Sequence, residues 1–345
     1  MSELGADELG AGETGAHDMA ANDMAAGDMG ADGMTAGGLA ADGAGGSVCA
    51  RYRVVHETRY HYHSTVTLSQ HYLHMTPRSF GCQQTESHAI WLDPAANEVT
   101  DGVDFFGNLT RHAAFTVPHD HLLVHAESTV VLRTRPGLAQ AVQAPGMPPW
   151  ESVRDMVAQG KEATLLEACR YLYASPHVAW FPELEAYARA SFAPGRPQLD
   201  AALELTQRIY ADFVFDGTAT DISTPLEQVW RGRRGVCQDF AQLMIGCLRS
   251  IGLPARYISG YILTHPPAGK PRLVGADASH AWVSVYCPVL GWVDFDPTNR
   301  CLVQHEHITL GWGRDFSDVT PMRGIVLGGG RHQPEVQVTV TPLAL

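Results

Sequence analysis

The sequence predicts an α+β protein, with a small all-β domain followed by a core of helices and antiparallel strands. Three observations indicate this. Apolar and polar residues alternate between turn residues over 50–135, apolar residues recur at helical spacing over 150–251, and alternation returns from residue 255 onwards. We divide the chain into five segments: 1–47, 48–135, 136–195, 196–300 and 301–345.

Residues 1–47 form an Ala/Gly/Asp/Met-rich tract with a five-residue rhythm, visible at Met19, Met24 and Met29. The segment holds nine Asp or Glu residues, no Lys or Arg and no aromatic residue. Because this composition buries too little apolar surface to offset the entropy of ordering, we expect a disordered tail. A solvated extension is favoured over a Met-rich tail that binds a partner or a metal.

Residues 48–135 are expected to form the small all-β domain, arranged as a sandwich. Turns are predicted at Pro94, Gly102 and Gly107. The predicted strands are Tyr52–Tyr62, Thr65–Met75, His88–Leu92 and His121–Leu132.

Histidines crowd this β segment, which holds ten of the 17 in the chain. His119 and His121 would lie on one face of a strand, as two metal ligands can. No Cys or carboxylate falls at the spacing of a structural metal site. Polar and partly buried histidines are therefore the favoured interpretation, and no metal is expected.

The middle of the chain is predicted to be helical after a Gly- and Pro-containing connector at 136–149. The expected elements are helices at 150–158, 162–174, 182–192 and 197–213, and strands at 255–263 and 336–340. Residues 301–345 are expected to form a C-terminal β extension. A proline-containing loop at 264–278 is the candidate for a mobile rim of a cleft.

Cys237 has a sequence context that differs from that of the other six cysteines. It follows the loop residue Gly235 and precedes an apolar stripe at helical spacing that stops at Gly252. Cys237 is therefore predicted to lie in the first turn of a helix, where unpaired N–H groups and the helix dipole favour a thiolate over a thiol. Cys247, inside the stripe, is predicted to be a core residue.

Residues 280–286 and 292–296 alternate like strands, with Pro and Gly residues bracketing the turn between them, and so predict an antiparallel hairpin. His280 and Asp296 would lie on adjacent strands. The carboxylate would fix the tautomer of the imidazole and leave its other nitrogen to face the thiol. A thiol, an imidazole and a carboxylate so arranged indicate nucleophilic acyl transfer. Asp294, on the same strand face, is the competing carboxylate.

Three further residues are candidates for the cleft and the oxyanion site. Gln238, next to Cys237, could donate to an oxyanion, or could be a polar first-turn residue. Trp282 and Trp292 share strand faces with the imidazole and the carboxylate and could wall the cleft, although core packing is the commoner role of Trp.

Several motifs can be compared with known families: Gly235-Val236-Cys237-Gln238-Asp239-Phe240-Ala241, Gly252-Leu253-Pro254-Ala255-Arg256-Tyr257, His280-Ala281-Trp282, Gly291-Trp292 and Asp296-Pro297-Thr298-Asn299. Together they resemble the bacterial transglutaminase-like superfamily, which includes proposed cysteine proteases. Residues 52–78 are similar to the N-terminal β region of its bacterial members, and residues 313–321 to their C-terminal segment.

The resemblance implies a papain-like α+β core with Cys237 as nucleophile, His280 as base and acid, and Asp296 as the orienting carboxylate, since it occupies the Asp-Pro-Thr position of the family. This sequence departs from the family twice. Ser284 stands where many members have a glutamate, and Arg300 where a glycine is common. Neither change removes a catalytic part, but both leave the substrate preference open.

Composition and charge exclude several classes of function. Nine negative charges of the formal net charge of −13 lie in residues 1–47, so the remainder carries −4 and has no basic stripe for nucleic acid. Seven scattered cysteines make no dense disulfide framework and fit a reducing cytoplasm. There is no signal-peptide pattern and no apolar run of the ~18–20 residues that span a membrane. The Asn108-Leu109-Thr110 sequon is therefore assigned no role.

We therefore expect a cytoplasmic Cys-His-Asp enzyme that forms a thioester with peptide or glutamine carboxamide groups of a protein or peptide substrate. A protease, an amidase and a transamidase share that thioester, so the three residues do not choose among them. No calcium loop or phosphate loop is present, and no cofactor is expected. A non-catalytic binding module of the same fold and a metalloprotein using the β-domain histidines are the alternatives. The oligomeric state is not predicted.

Overall fold

The computed structural model describes residues 46–264, 278–331 and 333–345. The tail predicted to be disordered (1–47) and the loop predicted to rim a cleft (264–278) fall almost wholly outside these residues. Both therefore remain predictions.

The N-terminal sheet is built around one strand of 26 residues. Its first five strands are β1 (Val48–Leu73), β2 (Gln83–Asp93), β3 (Glu98–Val103), β4 (Leu109–Phe115) and β5 (His119–Arg133). They pair in antiparallel fashion in the order β2-β5-β1-β4-β3.

Two details of the predicted β domain are wrong. The two strands predicted at Tyr52–Tyr62 and Thr65–Met75 are one strand, because the residues between them include no Gly or Pro to reverse the chain. The junction is instead crossed by a shift of register against β5, between His61 and Val66. The turn predicted at Gly102 is absent, since Gly102 lies within β3 and pairs with Thr110.

Helices occupy most of residues 138–250. They are α1 (Leu138–Val142), α2 (Trp150–Gln159), α3 (Ala163–Cys169), α4 (Pro182–Ser191), α5 (Gln198–Asp212), α6 (Leu226–Gly232) and α7 (Cys237–Ser250). Five of them, α2 to α5 and α7, lie close to their predicted positions, whereas α1 falls in the predicted connector and α6 has no predicted counterpart. Two short strands, β6 (Val214–Phe215) and β7 (Arg234–Gly235), pair in parallel just before α7.

The second sheet is antiparallel and has five strands. These are β8 (Ala255–Ile262), β9 (Ala278–Cys287), β10 (Gly291–Asp296), β11 (Cys301–Leu302) and β12 (His307–Gly313). Their order is β11-β10-β9-β8-β12, so the predicted hairpin forms the centre of the sheet as β9 and β10.

Helix α7 is almost entirely buried between the other helices and the second sheet. Met244, Cys247 and Leu248 pack in one core with Val283 and Phe295 of the hairpin. Burying an aliphatic side chain of this size contributes about 1.5–3 kcal/mol, so this core holds α7 against the sheet. The predicted α+β fold, with the helix of Cys237 packed on an antiparallel sheet, is confirmed.

The C-terminal strands return to the N-terminal sheet. A short 3₁₀ helix (Phe316–Asp318) leads to β13 (Met322–Gly328) and β14 (Pro334–Pro342), which both pair with β1. The sheet therefore has seven strands drawn from both ends of the described chain. The predicted sandwich of two sheets is wrong. The strands form one sheet, because β4, β5, β13 and β14 all pair with the long strand β1.

Two side-chain amides join the N-terminal sheet to β12. Gln83 donates to the Thr309 carbonyl and accepts from its N–H, each at 2.8 Å. Asn108 makes the same pair of bonds with Trp312, at 2.8 and 2.9 Å. Because β12 is an edge strand, these amides satisfy backbone groups that no neighbouring strand reaches.

Candidate active site

Cys237 is the first residue of α7 and is only partly buried. The start of the helix is fixed by Asp239, whose Oδ2 accepts hydrogen bonds from the Val236 N–H at 2.8 Å and from the Thr220 hydroxyl at 2.6 Å. Gly235 is required here, because a Cβ at this position would lie 2.5 Å from the same carboxylate oxygen. The thiol is thus held at a helix N-terminus, as predicted.

His280 and Asp296 are brought together by the hairpin of β9 and β10. Nε2 of His280 lies 2.8 Å from Oδ2 of Asp296, and both side chains are buried. Asp296 Oδ1 accepts two further bonds from the backbone N–H groups of Thr298 and Asn299, at 2.8 and 3.1 Å. The turn after β10 therefore holds the carboxylate in one orientation toward the imidazole.

The thiol of Cys237 lies close enough to His280 to raise the pKa of its imidazole. Since Nε2 of the ring faces Asp296, the nitrogen left for the thiol is Nδ1. Burial lowers the pKa of His280, but the bonds to Asp296 and Cys237 outweigh burial and raise it to about 10. Burial acts to raise the pKa of Asp296, yet hydrogen bonds from histidine hold it well below its ordinary value. The arrangement favours an imidazolium beside an ionised carboxylate.

Asp294, the competing carboxylate, has a different partner. Its Oδ2 accepts a hydrogen bond from the indole Nε1 of Trp282 at 3.1 Å. Trp282 is completely buried, and its ring lies 6.0 Å from that of His280. Trp282 therefore packs beside the imidazole, and Asp294 orients the indole while Asp296 contacts the histidine.

Gln238 occupies the second position of α7, beside the thiol, and is partly buried. Its side chain has no hydrogen-bond partner within the described residues. Trp292, another predicted cleft residue, packs against Tyr171 and Tyr286. The guanidinium carbon of Arg256 lies over its ring, 4.3 Å from the ring centroid.

Trp292 lines a cavity of about 670 Å³ between the second sheet and the N-terminal sheet. Its walls include Arg256, Trp312, Asp294 and His307, but Cys237 is not among the residues that line it. The structure therefore places Trp282 beside His280 and Trp292 in this separate cavity.

Three residues of the site have no role in the sequence analysis. His307, the first residue of β12, donates through Nε2 to Asp296 Oδ2 at 2.9 Å. The Asn299 amide donates to the same oxygen at 2.7 Å. Buried Tyr257 lies near the thiol: burial and then Cys237 raise its pKa well above the ordinary value. Asn299 and Tyr257 both belong to quoted motifs, although neither is assigned a role there. His307 is brought in by the pairing of β12 with β8, which no local pattern reveals.

His280, Asp296 and His307 are the one group of three candidate metal ligands within the described residues, their ligand atoms lying within 4.8 Å of one another. Both histidine nitrogens already lie at hydrogen-bond distance, 2.8 and 2.9 Å, from the carboxylate oxygen. The three groups can therefore satisfy one another directly, without an ion.

Several β-domain histidines make bonds within the protein. His56 Nδ1 lies 2.9 Å from the Tyr261 hydroxyl of the second sheet, and burial lowers its pKa to about 4. His74 contacts Asp104 and the Thr320 carbonyl. These side chains connect the N-terminal sheet to its neighbours.

Among the described helices, none combines the length and apolar character needed to cross a membrane.

Comparisons with known proteins agree with this arrangement. A family model described as the bacterial transglutaminase-like N-terminal region matches residues 52–131, and one described as the transglutaminase-like superfamily matches residues 185–297. An uncharacterised protein of Mycobacterium tuberculosis is 39% identical over 302 residues, covering 85% of this chain and 93% of the relative. A protein-glutamine gamma-glutamyltransferase of Pseudomonas aeruginosa is 42% identical over 67 residues, which is 19% of this chain and 10% of that protein.

The fold is also similar to a solved structure, that of a proposed cysteine protease from Cytophaga hutchinsonii. The TM-score is 0.67 at 17% identity, with 87% of this chain and 92% of that chain covered. At this identity the likeness concerns the fold alone. From the family matches and the long mycobacterial relative, we conclude that the chain belongs to the transglutaminase-like superfamily.

Proposed function

We propose that this protein is a Cys-His-Asp acyl-transfer enzyme that forms a thioester between Cys237 and the acyl group of a peptide or glutamine carboxamide. The observation that carries the proposal is the contact of one imidazole with both a helix-terminal thiol and a buried carboxylate. Relatives in this superfamily are usually cysteine hydrolases or transferases, which supports the same reaction class.

In the first half of the reaction, the Cys237 thiolate attacks the carbonyl carbon and a tetrahedral oxyanion forms. The His280 imidazolium then gives its Nδ1 proton to the leaving amine as the C–N bond breaks, which leaves a thioester and a neutral imidazole. Asp296 keeps the proton on Nε2 throughout and stabilises the cation.

In the second half, neutral His280 takes a proton from water or from an acceptor amine, which attacks the thioester carbonyl. The tetrahedral intermediate collapses, the C–S bond breaks and the thiolate–imidazolium pair is restored. Water gives a carboxylic acid, whereas an amine gives a new amide. Hydrolysis and transamidation thus differ only in the group that reaches the thioester.

The oxyanion is proposed to lie at the start of α7. The N–H of Cys237 belongs to the first helical turn and has no acceptor within the helix, so it is available to the oxyanion. The Gln238 amide, which lies beside the thiol, is the second candidate donor. A protein or peptide is the proposed substrate.

Trapping of the acyl group tests the proposal. The protein would be incubated with a glutamine-containing dipeptide and hydroxylamine, and hydroxamate formation measured in wild type, Cys237→Ala and Cys169→Ala. Cys169 is a partly buried cysteine on α3 that serves as the matched control. We expect hydroxamate from wild type and Cys169→Ala but not from Cys237→Ala. Equal loss in both variants, or turnover that survives in Cys237→Ala, would exclude Cys237 as the nucleophile.

A further inference from the structure

Asp296 is contacted by two histidines, and the second one is not needed to form the thiol–imidazole–carboxylate arrangement. We propose that His307 is a positioning residue: by donating a hydrogen bond to Asp296, it limits how strongly that carboxylate holds His280 as an imidazolium. The proposal rests on the proposed function, since its purpose is to let His280 serve both as acid and as base.

The carboxylate of Asp296 is fully buried and depends on hydrogen bonds for its stability as an anion. Oδ2 faces His280 Nε2 at 2.8 Å, His307 Nε2 at 2.9 Å and Asn299 Nδ2 at 2.7 Å. Each of these donors stabilises the same carboxylate charge, so each one weakens the interaction of that charge with the other two. Removal of the His307 donor would therefore leave more of that charge to act on His280.

His307 is placed as a hydrogen-bond donor to Asp296. Its side chain is buried, and its Nδ1 has no hydrogen-bond partner within the described part of the chain. The tautomer with the proton on Nε2 satisfies Asp296, and the ring is fixed by an edge-to-face contact with Trp282 at 5.2 Å. The polar contact of His307 thus serves this one carboxylate.

The two halves of the proposed reaction make opposite demands on His280. Protonation of the leaving amine needs the imidazolium, whereas activation of water or an acceptor amine needs the neutral ring. A carboxylate with fewer competing donors would hold the cation more tightly and weaken His280 as a base. A second histidine on the same oxygen weakens the stabilisation of the His280 cation by Asp296. It leaves in place the hydrogen bond that orients the His280 ring.

Other charged and titratable groups lie in the same region as Asp296 and His307. Burial, then Asp296 and Glu306, raise the pKa of the nearby Cys301 thiol to about 12, so this thiol stays protonated over the neutral range. The titratable groups in direct contact with His307 are Asp296, at 2.9 Å, and the His280 ring, whose centroid lies 5.8 Å away. Asp294 and Arg256 line the same cavity as His307.

The test is a titration of the His280 imidazole by NMR of histidine-labelled protein. The full chain would carry Cys237→Ala, which removes the thiol and isolates the effect of Asp296. His307→Leu and His307→Asn both remove a donor at the Nε2 position, and Asn serves if Leu prevents folding. His307→Gln restores a donor at that distance. His305→Gln changes an exposed histidine two residues away that has no side-chain contact with Asp296 within the described residues, and is the control.

We expect the pKa of His280 to rise by about one unit when the donor is lost, and to return to within a few tenths of the starting value in His307→Gln. An unchanged or lower His280 pKa in both donor-removing variants would overturn the proposal, as would a shift that Gln fails to reverse. A purely structural role would lower thermal stability without this Gln-reversible shift. Because the titration needs no turnover, the effect of His307 on the His280 pKa can be measured even if the proposed enzymatic function is wrong.

Discussion

The imidazole Nε2 of His280 lies 2.8 Å from Oδ2 of Asp296, while the carboxylate two residues earlier, Asp294, holds the indole of Trp282 instead. Two acidic residues on one strand face therefore have separate tasks. Only one of them can fix the tautomer of the histidine.

Exchange of each carboxylate for its amide distinguishes the two tasks. Asp296→Asn should lower acyl transfer by roughly three to four orders of magnitude, because an amide can stabilise the wrong imidazole tautomer and carries no charge. Asp294→Asn should cost less than about tenfold, since it alters only the contact with Trp282. The measurement is kcat/KM with a common acyl donor, and a larger loss in Asp294→Asn would reverse our assignment.

The protonation of His280 makes a defined contribution to the pH dependence of stability. Its folded pKa of about 10 lies above the ordinary value of 6.5, so the native state holds its proton more tightly than the unfolded chain. The resulting stabilisation is fully present below pH 6.5 and is lost as pH rises toward 10. Asp296 works in the opposite sense: its pKa is depressed, so its stabilisation is present above the ordinary value of 3.8 and is lost in acid.

This linkage is measured by urea unfolding of wild type and His280→Gln between pH 6 and pH 9.5. The stability advantage of wild type should shrink across that interval, by about 1.4 kcal/mol for each unit of pKa difference traversed. A difference that stays constant with pH would show that the folded protein does not hold the His280 proton in this way.

The start of α7 should be sensitive to a single methyl group. In Gly235→Ala the new Cβ would lie 2.5 Å from Oδ2 of Asp239, the oxygen that fixes the Val236 N–H. The conflict should displace Asp239 and the thiol, with loss of activity and about 1–3 kcal/mol of stability. Gly232→Ala, where nothing lies within 4 Å, is the control and should retain activity. Equal behaviour of the two variants would contradict this account of Gly235.

Asn108 should be a large contributor to stability although it lies in a glycosylation sequon. It is 1% exposed and bonds to Asp104 and to both the N–H and the carbonyl of Trp312. Asn108→Ala should therefore cost about 2–4 kcal/mol, because buried partners lose their bonds. Asn97→Ala removes one exposed bond to the Thr116 N–H and should cost less than about 1 kcal/mol. Urea midpoints compare the two, and a smaller effect at Asn108 would count against its role in joining the sheets.

Local patterns predict most of the elements that position the site. The apolar stripe after Cys237 predicts α7, and alternation around His280 and Asp296 predicts the hairpin, since both depend on neighbours along the chain. Cys247 is a core residue as predicted: it is completely buried, and burial raises its pKa to about 12.

The rest depends on long-range pairing that a local pattern does not contain. His307 reaches Asp296 because β12 pairs with β8 across the sheet, with His307 opposite Ile262. The N-terminal sheet also takes a strand from the far end of the chain, because β14 pairs with β1, with Tyr52 opposite Pro342. The sequence pattern predicts two strands where the structure has the single strand β1. Polar residues near His63 and Ser64 interrupt the alternation of apolar and polar residues, but they do not reverse the chain.

The reactivity of all seven cysteines toward iodoacetamide tests the central claim most directly. Alkylation of each thiol would be followed against pH by peptide mass spectrometry, in wild type and in His280→Ala. We predict that Cys237 alone reacts rapidly well below about pH 8, and that His280→Ala abolishes this reactivity. If Cys237 instead reacts like the other thiols, or reacts equally fast without His280, the thiol and the imidazole do not form an activated pair and the acyl-transfer proposal is wrong.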